Sequence, residues 1–274
     1  MPESTFIRYR ATVEYDGSGF SGYQVQPTAR TVQGTIEFHL ERLFERPVRV
    51  HAAGRTDSGV HAVGQEIAFE VPDRWPASDL SQSLNAMLPD DVQIRALHPS
   101  SAGFHPRFDA TGRRYEYFIG APDTGPLRAP RVWAIEEDLD QEQLSEASAL
   151  LVGRASFGAL SKAGQPKLGT ECCVEIANWT RTPLGDLRFS IVADRFLHRM
   201  VRYIVGTLVE VGGGRRSLAE WTNLLREEPA RPPEPAPAEA LYLTGVRYAE
   251  GWNREPGVPG LWPMGAGDQT TENV

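Results

Sequence analysis

The spacing of hydrophobic and polar positions changes in a regular order along this chain of 274 residues. Residues 10–15 alternate, with Ala11, Val13 and Tyr15 on one side, which predicts a half-buried strand. Residues 31–45 carry Val32, Ile36, Leu40 and Leu43 at helical spacing. Two strands follow, over 48–51 and 65–71, then a helix over 78–87 through Leu80, Leu84 and Met87, then a strand over 91–97. The order β-α-β-β-α-β predicts a ferredoxin-like unit.

The second half repeats that order. Residues 113–121 predict a strand with Tyr115, Tyr117 and Ile119 on one face, and residues 141–152 a helix through Leu144, Ser148 and Leu151. Strands over 172–180 and 187–193 meet at the turn Pro183-Leu184-Gly185. A long helix over 196–211 stops at Gly212-Gly213-Gly214. A short helix over 218–225, a proline-rich loop over 228–237 and a strand over 241–248 complete the unit. The expected fold class is α+β: two ferredoxin-like units, 1–105 and 106–250, whose antiparallel sheets join, with a tail over 251–274. A cleft between the units would suit a large ligand.

Composition narrows the function. No apolar run approaches the ~20 residues that span a bilayer, and the N-terminus lacks a signal-peptide pattern. The two cysteines, Cys172 and Cys173, are adjacent, which suits reduced thiols in a cytoplasmic protein. The six histidines show no metal-binding spacing, so no metal is expected. A net charge of −8 argues against non-specific coating of nucleic acid. Yet Lys162 and Lys167 are the only lysines among 28 basic residues. The rest are arginines, whose planar fork fits phosphate and whose face stacks on bases.

The chemistry concentrates on residues 53–62, where Asp57 stands between Gly54 and Gly59 and two positions from Arg55. Flanking strands put this carboxylate on a tight loop, presented to a cleft. The plainer reading is an Asp that caps its own turn. Arg195, Arg199 and Arg202 fall at i, i+4 and i+7 and would line one helix face, where Gly206 leaves room for a bulky partner. Arg107, Arg113 and Arg114 flank the aromatic strand around Tyr115 and Tyr117. Such interleaving can grip phosphates while a ring stacks on a base, although strand tyrosines more often pack in a core.

The motifs as a set go further. Residues 54–65, Gly-Arg-Thr-Asp-Ser-Gly-Val-His-Ala-Val-Gly-Gln, resemble the active-site motif of TruA-type tRNA pseudouridine synthases. Glu14-Tyr15-Asp16-Gly17, Val32-Gln33-Gly34, Asn85-Ala86-Met87-Leu88-Pro89, Phe104-His105-Pro106-Arg107-Phe108, Arg113-Arg114-Tyr115-Glu116-Tyr117 and Phe196-Leu197-His198-Arg199-Met200-Val201-Arg202 match further family blocks in order. The resemblance implies an isomerase, without cofactor or metal, acting on uridines 38, 39 and 40 in the anticodon stem-loop of tRNA. It implies Asp57 as the catalytic aspartate, Tyr115 stacking on the flipped uracil, and Arg202 paired with Asp57. Arg55, Arg199 and His61 are the other substrate-binding residues it implies, and the protein would be a homodimer. An arginine beside a carboxylate favours its charged form. Asp57 would then stand ready to attack base or sugar, or to take a proton.

Several positions depart from the family pattern. Tyr23 and Val25 stand near where a tryptophan and an arginine are usual, Ser58 replaces alanine, and Ala240 replaces glycine. The stretch Lys167-Leu168-Gly169-Thr170 lacks an expected arginine. A non-catalytic RNA-binding module of ferredoxin-like fold is the alternative, although it has no need of an aspartate beside arginines. A carboxylate-dependent hydrolase would want a second acid or a metal.

Overall fold

The computed structural model describes residues 5–162 and 169–255. Among them, strand β1 (Phe6–Tyr15) pairs antiparallel with β3 (His61–Pro72) and β4 (Val92–Pro99), and the short β2 (His51–Ala52) pairs with β3. Helices α1 (Val32–Phe44) and α2 (Ala77–Met87) connect them. The second half contains β5 (Gly112–Gly120), β6 (Trp133–Ala134), α3 (Gln141–Ala149), β7 (Gly153–Ser156), β8 (Glu171–Arg181) and β9 (Leu187–Ala193). Helices α4 (Met200–Gly212) and α5 (Leu218–Leu225) then lead to β10 (Leu241–Tyr248) and β11 (Gly251–Trp252).

All the described strands belong to one sheet, ordered β4-β1-β3-β10-β5-β9-β8-β7. Each half places its last long strand beside its first, and its first beside its third. The halves meet where β10 runs parallel to β3, with Tyr242 opposite His61 and Leu243 opposite Ala62. This central position explains why all nine residues of β5 are buried. One sheet face carries Tyr9, Val13, Phe189 and Ile191 against Ile36 and Leu40 of α1, Leu84 of α2, Ile204 and Leu208 of α4, and Trp221 of α5. That apolar layer supplies most of the driving force for joining sheet and helices.

The helix ends follow local chemistry. Thr31 caps α1 by accepting from the Gly34 amide at 3.2 Å. Ser217 and Glu220 form a reciprocal capping box on α5.

Four expectations change. The strand expected over 48–51 shrinks to His51–Ala52. Val50 is buried, but its amide donates to Glu37 Oε1 at 2.9 Å and its carbonyl accepts from Gln33 Nε2 at 3.2 Å, so side chains of α1 replace a strand partner. Helix α4 starts at Met200 rather than 196, because Arg199 has a left-handed φ of 63° that breaks the helical path. The tail expected from residue 251 is docked over its first residues. Gly251–Trp252 pairs with β10, and the Asn253 side-chain Nδ2 donates to Glu66 Oε2 at 2.6 Å. Finally, the bulky partner of Gly206 is the chain's own proline-rich loop: a Cβ at Gly206 would overlap the Glu234 carbonyl oxygen. Residues 256–274, and Lys167 and Leu168 in the departing stretch, lie outside the described residues.

Candidate active site

Asp57 occupies the loop between β2 and β3, whose end enters the seam where β3 meets β10. The loop is tied on every side. Gln65 Nε2 donates to the Gly54 carbonyl at 2.9 Å, and the Tyr23 amide donates to the Thr56 carbonyl at 3.0 Å. The Thr56 hydroxyl lies 2.8 Å from the Tyr15 hydroxyl. Burial pushes the Tyr15 hydroxyl up to about 12, against the lowering effect of its bonds to Thr56 and Gln65. Gly59 takes a φ of 82°, where a side chain would also press on Ala238 at 3.1 Å. With both flanks fixed, the backbone that carries Asp57 is held in place.

The carboxylate does not cap its own turn. Among the described residues no backbone amide donates to it; its partners come from the second half of the chain. Arg202 Nη1, from the first turn of α4, donates to Oδ2 at 3.5 Å. His198 Nε2 lies 3.2 Å from Oδ1. The Asp57 and Arg202 side chains are 18% and 14% exposed, so their attraction is screened less than that of a surface pair. Arg202 is itself fixed, since its Nε donates to the Ala236 carbonyl at 2.7 Å and its own carbonyl accepts from the Ala236 amide at 2.9 Å. The proline-rich loop thus holds the arginine that holds the aspartate.

Tyr115 stands on β5 beside this pair, buried, with its ring edge-on to Phe196 at a centroid distance of 5.1 Å. Burial, together with the nearby Tyr15 and Asp57, raises its hydroxyl above the ordinary range for tyrosine. Arg55 is exposed at the loop crest and forms no ion pair among the described residues. Arg199 does not bond Asp57, and its buried Nε has no hydrogen-bond partner among the described residues.

His61 lies away from the carboxylate. It is buried, its Nδ1 accepts from the Gly17 amide at 3.1 Å, its Nε2 lies 3.0 Å from the Glu239 carbonyl, and its ring stacks on Tyr242. With both nitrogens and a face engaged within the chain, it packs the start of β3.

The arginine patterns also change meaning. Because α4 begins at Met200, Arg195 and Arg199 precede the helix and no common face exists. Arg195 donates to the carbonyls of Gly169 and Glu171 at 3.2 Å. Arg113 is buried and donates to four carbonyls, those of Ala53, Arg107, Ala110 and Asp194. Arg114 is buried against Thr244 and the Arg254 carbonyl, with Trp252 over its guanidinium at 4.6 Å. Both are joists of the fold rather than phosphate grips, and only Arg107 of that cluster is exposed.

Sequence reasoning passed over His198 as a site residue. Its one signal was its place inside the 196–202 block, between two arginines already singled out. The departures fit locally. The Ser58 hydroxyl donates to the Phe20 carbonyl at 3.1 Å, Tyr23 is buried against Tyr15, and Ala240 is buried with its carbonyl accepting from Phe118 at 3.1 Å. Val25 is 41% exposed. Among the described residues, no group of His, Cys, Asp or Glu is arranged to hold a metal ion, and no helix is long and apolar enough to cross a membrane.

The sequence profile of a family described as tRNA pseudouridine synthase matches residues 11–109 and 147–249. A protein of Chlorobaculum tepidum named tRNA pseudouridine synthase A is 39% identical over 239 residues, covering 86% of this chain and 96% of that one. Its namesake in Caulobacter vibrioides is 38% identical over 246 residues, covering 89% and 99%. That of Solidesulfovibrio magneticus is 37% identical over 273 residues, covering 97% of each chain.

Proposed function

This chain belongs to the tRNA pseudouridine synthase family, and from that membership we propose that Asp57 is the residue through which it acts. The enzyme isomerises uridine to pseudouridine in tRNA. Uracil leaves C1′ at N1, turns, and rejoins through C5. C5 gives up a hydrogen and N1 takes one, so the reaction balances without an added group.

One observation carries the assignment: a carboxylate fixed at the seam of the sheet, 3.5 Å from Arg202 and 3.2 Å from His198, beside the buried ring of Tyr115. One donor, Arg202, and the adjacent His198 ring confine the carboxylate, as a group that must meet a single reacting atom requires. Reaching a base inside an RNA fold needs that base extruded, at an expense of a few kcal/mol. Stacking on Tyr115 offsets it by roughly 1–3 kcal/mol.

The finer reading is that the targets are uridines 38, 39 and 40 of the anticodon stem-loop, bound by a cytoplasmic homodimer. Its two ferredoxin-like units each take the strand order in which the fourth lies beside the first. The sequence blocks quoted above support the target positions and the dimer, and the strand order β4-β1-β3-β2, repeated as β10-β5-β9-β8, supports the two ferredoxin-like units alone.

The decisive test is Asp57→Asn. Release of tritium from tRNA carrying 5-tritiated uridine should fall by at least about 10²–10⁴-fold, the range of a positioned acid–base group, with tRNA affinity retained. Normal turnover by the variant would overturn the role of Asp57. Pseudouridine mapping in tRNA from cells lacking the protein, then supplied with it, tests the three positions.

A further inference from the structure

Three aromatic rings lie in a row beside the root of the Asp57 loop. His51 of β2 and His105 of the β4–β5 connection have centroids 5.2 Å apart, and His105 and Phe108 are 4.4 Å apart. Phe108 is 71% exposed and His51 is exposed, so both ends of the row reach the surface. Arginines surround it. The Arg107 guanidinium lies 5.7 Å from the Phe108 centroid, Arg8 donates to the Phe104 carbonyl at 2.7 Å, and Arg49 is exposed next to His51. Partial burial first, then the charge of His105 and Arg8 for His51 and of Arg8 for His105, lowers the pKa of both histidines against Glu37 and Asp109, which favours the neutral rings.

A lone exposed phenylalanine needs no explanation. This one is held in place. The His105 amide donates to Asp109 at 2.8 Å and the Arg107 amide to His105 Nδ1 at 3.2 Å, so the turn is internally fixed. Buried Arg113 then joins the turn to the catalytic loop: one Nη2 serves the Arg107 carbonyl at 2.6 Å and the Ala53 carbonyl at 3.1 Å. Ala53 is four positions before Asp57, and exposed Arg55 lies between them. The row of rings and the candidate catalytic carboxylate therefore hang from one guanidinium.

We propose that His51, His105 and Phe108 form a stacking platform for an unpaired base of the tRNA substrate next to the uridine delivered to Asp57, with Arg107, Arg8 and Arg49 along its phosphates. The proposal rests on the tRNA isomerase reading and names a second contact for the same substrate. Extruding one base leaves its neighbour without a stacking partner, and an aromatic face replaces that partner whatever the base. Exposed Arg107, with half-buried Arg8 and with Arg49 that also pairs with Glu37 at 3.6 Å, supplies beside the rings the positive charge that the overall charge of −8 does not.

The test uses Phe108→Ala, Phe108→Leu and Phe108→Trp with an unmodified tRNA transcript. A second set of transcripts carries single abasic residues at each nucleotide flanking the target uridine. Phe108→Ala and Phe108→Leu should bind the intact transcript about 5- to 140-fold more weakly, which is 1–3 kcal/mol of stacking converted at 1.4 kcal/mol per tenfold. Phe108→Trp should match wild type. On one abasic transcript the wild-type enzyme should lose the same factor and Phe108→Ala should lose nothing more. Leucine serving as well as phenylalanine, or equal losses on every transcript, would overturn the platform. So would Phe108→Ala altering the oligomeric state at unchanged tRNA affinity, which would make this surface a contact between copies. Wild-type enzyme forming no pseudouridine in the transcript would instead strike at the isomerase reading itself.

Discussion

Arg202 donates to Asp57 across 145 residues of sequence. The bond spans the two halves of the chain at the seam where β10 runs beside β3. The same guanidinium holds the Ala236 carbonyl at 2.7 Å, so one side chain couples the Asp57 loop, α4 and the proline-rich loop.

Replacing Arg202 with alanine should lower kcat for pseudouridine formation by about 10- to 150-fold, the worth of a 1.5–3 kcal/mol charged hydrogen bond. Lysine keeps a positive charge but has no second nitrogen arranged to hold Ala236 as well, so Arg202→Lys should regain only part of that loss. Unchanged kcat in Arg202→Ala would mean that Asp57 needs no cationic partner.

His198 contributes less, because its side chain is 56% exposed and its partner is already held by Arg202. His198→Ala should reduce kcat about two- to tenfold, the scale of one polar contact of about 0.5–1.5 kcal/mol. His198→Gln, which keeps a polar group beside Asp57, should recover most of it. Equal rates for all three proteins would remove His198 from the orientation of Asp57.

Gly206 faces the Glu234 carbonyl with no room for a methyl group. Gly206→Ala should therefore destabilise the protein by about 1–3 kcal/mol, as overpacking does, despite alanine's better helix propensity. A urea titration measures it. A stabilised variant would show that the 228–237 loop does not lie against α4 in solution.

Two acid-sensitive windows are expected in stability. Burial lowers the pKa of His61, although the Asp16 carboxylate and the Glu239 carbonyl oppose it. The unfolded chain therefore protonates first, near ~6.5, and stability declines as pH falls below that value. Asp16 behaves oppositely in sign of charge. Burial works to raise it, but bonds from Ser18 and Arg131, with the charge interaction of His61, prevail and lower it to about 2. Its contribution is complete above the unfolded value of ~3.9 and is lost as pH falls towards about 2. The urea midpoint of His61→Gln should vary less between pH 7 and 5, and that of Asp16→Asn less between pH 4 and 2. An undiminished upper slope in His61→Gln would show that its burial does not govern that window.

Much of this was legible beforehand because period and spacing report local environment. The alternation over 10–15 and the helical spacing of Val32, Ile36 and Leu40 state which positions meet the core, and β1 and α1 formed there. The reading failed where a backbone found a different partner. Val50 bonds α1 side chains instead of a strand, and the left-handed Arg199 interrupts a continuous apolar run. It failed again with Arg113 and Arg114, since spacing cannot distinguish an arginine offered to solvent from one bonded to carbonyls of Ala53 or Arg254.

The sequence by itself determined the order of elements, the loop that presents Asp57 and, through its motifs, the family. Those are properties of contiguous residues, governed by local backbone preference and by which side of a segment is apolar. Only the tertiary structure decided that β10 enters beside β3, that Arg202 and His198 close on Asp57, and that His61 turns inward to Tyr242. Those contacts join residues that local preference treats as independent, and they exist because burying one shared apolar face brings both halves to the same sheet.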